Sequence, residues 1–167
     1  MIKKLLLAAT FLIAGKFSFA QISETKIIVD TVDRPALYIE TDMSENDVKD
    51  AIKNYFDSLH VSAEKGSGFI IKKQLPFLEY KRAVADSMYG QALDYYFKID
   101  TKKQKGPDIT TIYIAASKGY NNFITPQADA VVWNAFKHFG EYIRSNYLEQ
   151  YRIAQSLSSI NKDLNKD

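Results

Sequence analysis

Histidine, serine and carboxylate side chains are the first candidates for chemistry in this chain of 167 residues. His138 and Glu141 are one helical turn apart and could share a divalent metal ion. Two ligands are too few, because a zinc site uses three or four protein ligands, and the other histidine is His60. Ser87 has no evident base to activate its hydroxyl group. We therefore predict no metal, no cofactor and no catalytic residue from these groups.

Carboxylates gathered from distant segments leave one enzymatic alternative open, a small hydrolase or transferase. Its candidate residues are Glu40, Asp86 and Asp94, and an irregular connection over residues 74–91 would act as its lid. Their spacing in sequence does not favour them, because carboxylate pairs are recognised by their separation and environment in three dimensions. The chain also has no nucleophile elbow, phosphate-binding loop or His-Glu-x-x-His motif.

Tyrosine side chains offer a different chemistry, that of a binding surface. The chain has eleven tyrosines, and strand alternation predicts that Tyr38, Tyr96 and Tyr113 share the sheet face opposite the core. Tyrosine rings with polar tips are suited to stacking on peptides or sugars. The alternative interpretation is that tyrosine is simply a favourable strand residue that covers an exposed sheet.

The elements that would position these side chains begin with a strand at 36–41, where Leu37 and Ile39 alternate with polar or amphipathic residues. Residues 21–33 are either a loose leader or an edge strand. Ser44 is a helix N-cap, with Met43 placed to pack on Val48, and apolar residues then recur at three- and four-residue steps up to Leu59. We expect this helix to cover one face of a sheet.

Further strands follow the first helix. Gly66 to Ile71 predicts a second strand, and residues 74–91 predict an irregular connection containing a possible short strand. Clear alternation from Leu93 to Ile99 and a β-branched run from Ile109 to Ala116 predict an antiparallel pair joined by a polar turn.

A long helix is predicted from Pro126 to Leu164, with Thr125 as its N-cap. Unbroken, it would measure about 58 Å, so its last third must project, bend or meet a partner. Ile153, Leu157, Ile160 and Leu164 continue the apolar cadence and are candidate oligomerisation residues for a homodimer through a short coiled coil. The alternative is a frayed amphipathic tail, because two to three heptads are marginal on their own.

Together these elements predict an α+β fold, with an antiparallel sheet of about four strands and two helices packed on one face in the order β-α-β-β-β-α. The expected organisation is a domain over residues 34–147 and a helical extension over 148–167. This order resembles small exported bacterial envelope domains of unknown function, which have a sheet similar to the TATA-binding protein fold. The resemblance spans Ala36 to Ile143 and implies no catalytic residue.

The N-terminal residues predict export. Lys3 and Lys4 precede an apolar stretch, and small residues at Ser18 and Ala20 predict a signal peptide over residues 1–20 with cleavage after Ala20. The apolar stretch is too short to span a bilayer comfortably. The absence of cysteine excludes a lipoprotein anchor and disulfides. We expect a periplasmic protein first and an extracellular one second, with no transmembrane helix in the mature chain.

Charge excludes one class of partner. The whole chain has a net charge of +2, but three of its lysines lie in the signal peptide, and cleavage leaves 19 basic against 20 acidic residues, a net charge of −1. Nucleic-acid binding needs a concentrated excess of Lys and Arg. The preferred function is therefore a non-enzymatic envelope domain that binds a protein, peptide or glycan through its sheet face, its C-terminal helix or both.

Overall fold

An antiparallel sheet with helices on one face forms the body of the protein. The computed structural model describes residues 22–64, 77–106 and 108–165, and in this part of the chain the fold is α+β, as predicted. The strands are β1 (Ser23–Val29), β2 (Val32–Thr41), β3 (Leu78–Val84), β4 (Ala92–Lys102) and β5 (Ile109–Ser117). The helices are α1 (Glu45–Ser58), α2 (Ala130–Tyr142) and α3 (Glu149–Leu164). The strand order in the sheet is β1-β2-β5-β4-β3.

The described sheet therefore has five strands instead of about four, and two strands precede the first helix. One added strand is β1, an edge strand over Ser23–Val29. The other is β3, within the segment predicted to be irregular. The predicted strand at 66–71 and the predicted signal peptide at 1–20 lie outside the described residues.

A β-bulge explains why β3 is hard to recognise in the sequence. Tyr80 pairs with Tyr95 and Ala83 pairs with Leu93, so Lys81 and Arg82 together lie opposite one residue of β4. The bulge inserts one residue into the period-two pattern, and the two core-facing residues Tyr80 and Ala83 are three positions apart. Arg82 has a φ of 53°, which marks the kink.

Helix α1 begins as predicted. The Ser44 side chain accepts a hydrogen bond of 3.2 Å from the backbone N–H of Asp47, and Met43 and Val48 are both buried in the core. The apolar face of the helix then packs on the sheet through Ala51, Ile52, Tyr55 and Phe56. Capping and burial thus agree on where this helix starts and which side faces inward.

Helix α2 begins at Ala130, four residues after the predicted start at Pro126. A local turn accounts for the difference. The Asp129 side chain accepts a hydrogen bond from the backbone N–H of Thr125 (3.1 Å), and the Thr125 hydroxyl accepts one from the backbone N–H of Ala128 (3.0 Å). The polar side chains stabilise this turn, and the helix begins only after it.

The core is built mainly from aromatic rings that join both helices to β4. Phe56 of α1 stacks on Tyr80 with ring centroids 3.9 Å apart and lies 5.5 Å from Tyr95. The ring centroid of Phe139 in α2 lies 4.9 Å from that of Tyr95. Tyr95 therefore connects the two helices beneath the sheet, and truncating a ring of this size costs about 3–5 kcal/mol.

The long C-terminal helix is interrupted by a stretch of π-helix. A π-helical segment, Ile143–Leu148, separates α2 from α3. Its wider turn allows Ile143 and Leu148, five residues apart, both to be buried. Helix α3 has no buried residue and projects from the domain. Among the described residues, no helix is both long and apolar enough to cross a membrane.

The turn between β1 and β2 gives a stability prediction. Asp30 (φ 48°) and Thr31 (φ 67°) are both left-handed, which makes a type I′ turn, and Thr31 is β-branched and therefore strained there. The double substitution Asp30→Asn/Thr31→Gly should raise the free energy of unfolding by about 0.5–1 kcal/mol, measured by urea denaturation at fixed protein concentration. Thr31→Ala keeps the Cβ atom and should gain little. A double variant less stable than the parent would contradict this account.

Candidate functional site

The sheet face opposite the helices, called here the outer face, carries the predicted tyrosines. Tyr38 of β2 is in register with Tyr113 of β5, which is in register with Lys98 of β4. Tyr96 lies one row further along, opposite Ala115. The alternation therefore places Tyr38, Tyr96 and Tyr113 on one face, but their surroundings differ.

Tyr96 is a packing residue. It is only 6% exposed, because Phe123 lies against its ring at 5.2 Å and Phe77 meets it edge-on at 6.4 Å. Both phenylalanines come from connections, one after β5 and one before β3. They close a second, smaller core on the outer face, whose buried members also include Ile27, Val29, Ala36 and Ala115. Tyr96 is therefore covered and offers little surface to a ligand.

The β-bulge places the charged Lys81 side chain over the Tyr96 ring. The Lys81 ammonium lies 4.3 Å from the Tyr96 ring centroid and donates a hydrogen bond of 2.6 Å to its hydroxyl. It also lies 3.2 Å from a Glu79 carboxylate oxygen and 3.8 Å from one of Asp94. Burial lowers the pKa of Lys81, but the hydrogen bonds and charges of Tyr96 and Glu79 raise it more, so the net shift is upward. Lys81 therefore stays charged in place.

The open part of the outer face is formed by Tyr38, Tyr113 and Lys98, called here the tyrosine patch. The two tyrosine ring centroids are 6.0 Å apart, with the rings tilted by 43°, and the Lys98 ammonium lies 5.6 Å from the Tyr113 centroid. All three side chains are half-buried. The patch thus presents two aromatic faces and one cation on rigid, hydrogen-bonded strands.

Two carboxylates border the tyrosine patch and fix its side chains. The Tyr38 hydroxyl donates a hydrogen bond to Glu40, and this bond, with burial and the Glu40 charge, raises the pKa of Tyr38 to about 12. Asp100 accepts a hydrogen bond of 2.6 Å from Lys98. Tyr38 is therefore neutral at physiological pH, and both polar groups of the patch are oriented before a ligand arrives.

The carboxylates of the enzymatic alternative are not brought together. Glu40 is in register with Thr111, which pairs with Asp100, whereas Asp94 is six residues away from Asp100 along β4, a separation of about 20 Å along the strands. Asp94 instead accepts a hydrogen bond of 2.9 Å from the Arg82 backbone N–H at the bulge. The side chain of Asp86 lies outside the described residues. The register therefore gives no support to an acid–base pair of Glu40 and Asp94.

Metal binding finds no support in the described ranges 22–64, 77–106 and 108–165, where no group of three His, Asp or Glu side chains could hold an ion. His138 and Glu141 lie on the solvent-facing side of α2, and both are exposed.

Helix α3 carries a second surface. Ile153, Leu157, Ile160 and Leu164, called here the α3 stripe, are 51% to 70% exposed. At the base of the helix Arg152 pairs with Glu149 (2.7 Å) and reaches Asp42 (3.8 Å). Arg152 and Asp42 line a cleft of about 220 Å³ between α3 and the start of α1. The Arg152–Asp42 ion pair links the base of α3 to the residues before α1, whereas no described residue buries the stripe beyond it.

Sequence reasoning missed Lys98 as part of the patch and the covering of Tyr96. Lys98 could have been found, because it lies two residues after Tyr96 and so shares its face. The covering could not, because Phe77 and Phe123 reach the outer face from connections whose path the alternation does not determine.

The two tyrosines should respond differently to substitution. Tyr96→Ser removes a covered ring and should cost about 3 kcal/mol of unfolding free energy, whereas Tyr113→Ser should cost about 1 kcal/mol, because its ring is half open to solvent. Tyr96→Phe, the matched control, keeps the ring and loses only the Lys81 hydrogen bond, and should cost about 1 kcal/mol. Denaturant midpoints measure all three. Equal stability of Tyr96→Ser and Tyr113→Ser would contradict the distinction.

Comparison with known proteins adds no family. No protein-family model, no curated protein and no solved structure matches this chain. The resemblance to exported envelope domains with a sheet similar to the TATA-binding protein fold therefore stays a prediction, and the function has to be argued from the surfaces of the domain.

Proposed function

We propose that this protein is an exported, non-enzymatic domain of the bacterial cell envelope that binds a protein, peptide or glycan. The tyrosine patch is its main binding surface, and the α3 stripe is a second contact element. The observation that carries the proposal is the Tyr38–Tyr113 pair, with Lys98 beside it, on a sheet face that no described helix covers.

The chemistry of the patch suits a ligand with a flat apolar face and an acceptor or anionic group. Tyrosine rings stack on sugars and on aromatic or proline side chains, and the Lys98 ammonium pairs with a carboxylate. The rings stand on paired strands, and Tyr38 is held by Glu40. Little side-chain freedom is therefore lost on binding, which favours affinity.

The α3 stripe supports a protein contact of another kind. Four large apolar side chains at four-, three- and four-residue spacing leave an apolar face that a helix of a partner could cover. A second copy of this chain, paired through α3 as a homodimer, is one such partner, and a helix of another envelope protein is the other.

A hydrolase or transferase is not proposed. Glu40 is committed to Tyr38 and Asp94 to the backbone of the bulge, and the sheet register keeps the two carboxylates far apart.

Binding tests the patch directly. A Tyr38→Ser/Tyr113→Ser variant of the chain from Gln21 to Asp167 should lose at least about tenfold in affinity, because it removes both stacking faces. The readouts are co-sedimentation with purified peptidoglycan for a glycan, and capture from a bacterial envelope extract for a protein or peptide.

Tyr89→Ser is the matched control, since Tyr89 is 86% exposed and lies outside the outer face; it should bind as the parent does. Unchanged binding by a folded Tyr38→Ser/Tyr113→Ser variant would refute the role of the patch.

Export is tested separately. When the full chain is produced in a bacterium, we expect the protein in the periplasmic fraction with Gln21 as its first residue, because small residues at Ser18 and Ala20 are needed by signal peptidase. Mass spectrometry of the intact protein reads the cleavage. Ala20→Arg should accumulate the uncleaved chain. A parent protein that keeps residues 1–20 and stays in the cytoplasm would refute export.

A further inference from the structure

The two edge strands of the sheet, β3 and β1, differ in how regular they are. The β3 edge is interrupted by the bulge at Lys81 and Arg82, and the backbone N–H of Glu64 donates a 2.8 Å hydrogen bond to the carbonyl of Glu79 on that strand. Strand β1, at the other edge, pairs with β2 over seven consecutive residues without a register shift. Proteins usually blunt such edges, because a straight edge strand can pair with another chain.

The register shows which backbone groups of β1 face outward. Val29 and Val32 flank the two-residue turn, and in such a hairpin they form a hydrogen-bonded pair. Because these pairs alternate along an antiparallel ladder, the N–H and C=O groups of Glu24, Lys26 and Ile28 point away from β2 toward the free edge. Among the described residues, no strand pairs with that edge.

The side chains of these same three residues lie on the helix side of the sheet. Lys26 is exposed and, within the described part of the chain, makes no ion pair. Ile28 is 65% exposed. Glu24 is held in place through Oε1 by the Trp133 indole N–H (3.0 Å) and the Lys137 ammonium (3.5 Å). An acid and a base therefore stand two residues apart on one face of an open edge.

We propose that two copies of this chain pair antiparallel through β1, with Glu24 of each copy opposite Lys26 of the other. In this register Thr25 lies opposite Thr25 of the second copy, on the two-fold axis. Ile28 lies opposite Ile22, which already packs against the core beside Gly140.

The charges of Glu24 and Lys26 favour this register over the two adjacent registers. A slip that preserves hydrogen bonding places Lys26 opposite Lys26 in one direction and Glu24 opposite Glu24 in the other, and like charges directly opposite each other are destabilising. Only the proposed register pairs acid with base twice. The second copy is therefore a better fit to the β1 edge than an arbitrary strand.

The pairing would extend the sheet across both copies and place their two tyrosine patches on one continuous outer face. It rests on the β1 edge alone and does not depend on what the patch binds. It also differs from a dimer through α3, whose seam is limited to four apolar residues preceded by the polar Asn146 and Gln150, and short seams of this kind are marginal.

Charge exchange gives the sharpest test. Sedimentation velocity of the chain from Gln21 to Asp167 should show a dimer. K26E places two carboxylates opposite each other between the copies, and E24K places two ammonium groups opposite each other, so each variant should raise the dimer dissociation constant at least about tenfold. An equimolar mixture of the two variants gives opposite charges at both contacts and should form a heterodimer. Lys105→Glu, in the turn between β4 and β5, is the matched charge control and should dimerise as the parent does.

A cysteine at position 25, on the proposed two-fold axis, tests the register directly, since the chain has no native cysteine. Thr25→Cys should cross-link into a covalent dimer on mild oxidation, because a non-hydrogen-bonded antiparallel pair has the Cα separation that a disulfide needs. Ser23→Cys and Ile27→Cys should not cross-link alone but should cross-link when mixed, because these positions face each other between copies.

A truncation after Tyr151 separates this interface from α3, and the described residues that it removes are all exposed. We expect the truncated chain to dimerise like the parent. A parent that is monomeric at all concentrations, or a dimer that is lost on truncation and kept in K26E, would overturn the proposal. Cross-linking by Ser23→Cys alone would overturn the register.

Discussion

The alternation of side chains along β4 is the constraint on which the rest of the structure depends. Tyr95 and Tyr96 are neighbours in sequence, yet Tyr95 lies in the main core against Phe56 and Phe139, and Tyr96 lies on the opposite face under Lys81. Because β4 lies inside the sheet, between β5 and β3, its two faces define the two sides of the molecule. One side must be covered by α1 and α2, and the other remains available except where a connection folds over it.

The packing of the main core buries some polar atoms. In the part of the chain that the structure describes, the hydroxyls of Tyr80 and Tyr95 are buried without a hydrogen-bond partner, which costs free energy. Burial, with the charge of Asp57, raises the pKa of Tyr80 to about 12, and burial also raises the pKa of Tyr95, so both rings stay neutral at physiological pH. Their aromatic contacts with Phe56 and Phe139 offset that cost, because aromatic pairs at these centroid separations contribute stabilising free energy beyond that of the buried area alone. These contacts join the two helices to strands β3 and β4.

Capping and side-chain periodicity were sufficient to predict the regular elements from sequence. They were not sufficient where the conformation depends on tertiary contacts. The Ser44 cap and the alternation from Leu93 to Ile99 follow from side-chain chemistry and period, and the structure confirms both. The sequence predicts β3 only as a possible short strand, because a bulge breaks its period. The sequence leaves the state of β1 open, because this strand depends on a strained Asp30-Thr31 turn that favours no hairpin from sequence. The same limit applies to the site. The face of Tyr38, Tyr96 and Tyr113 follows from alternation, but the covering of Tyr96 depends on where Phe77 and Phe123 fold.

Three surfaces remain uncovered in the described part of the chain, and they differ in the physics by which they would bind. The β1 edge offers backbone hydrogen bonds and a Glu24–Lys26 charge pattern, the tyrosine patch offers rings and one cation, and the α3 stripe offers apolar side chains. A backbone edge selects an extended strand, a patch of rings selects a flat ligand, and an apolar stripe selects a helix. Because the edge, the outer face and the projecting helix are separate parts of the fold, occupying one does not require vacating another. The proposed self-association through the edge would therefore leave the sheet face and the helix free for other partners.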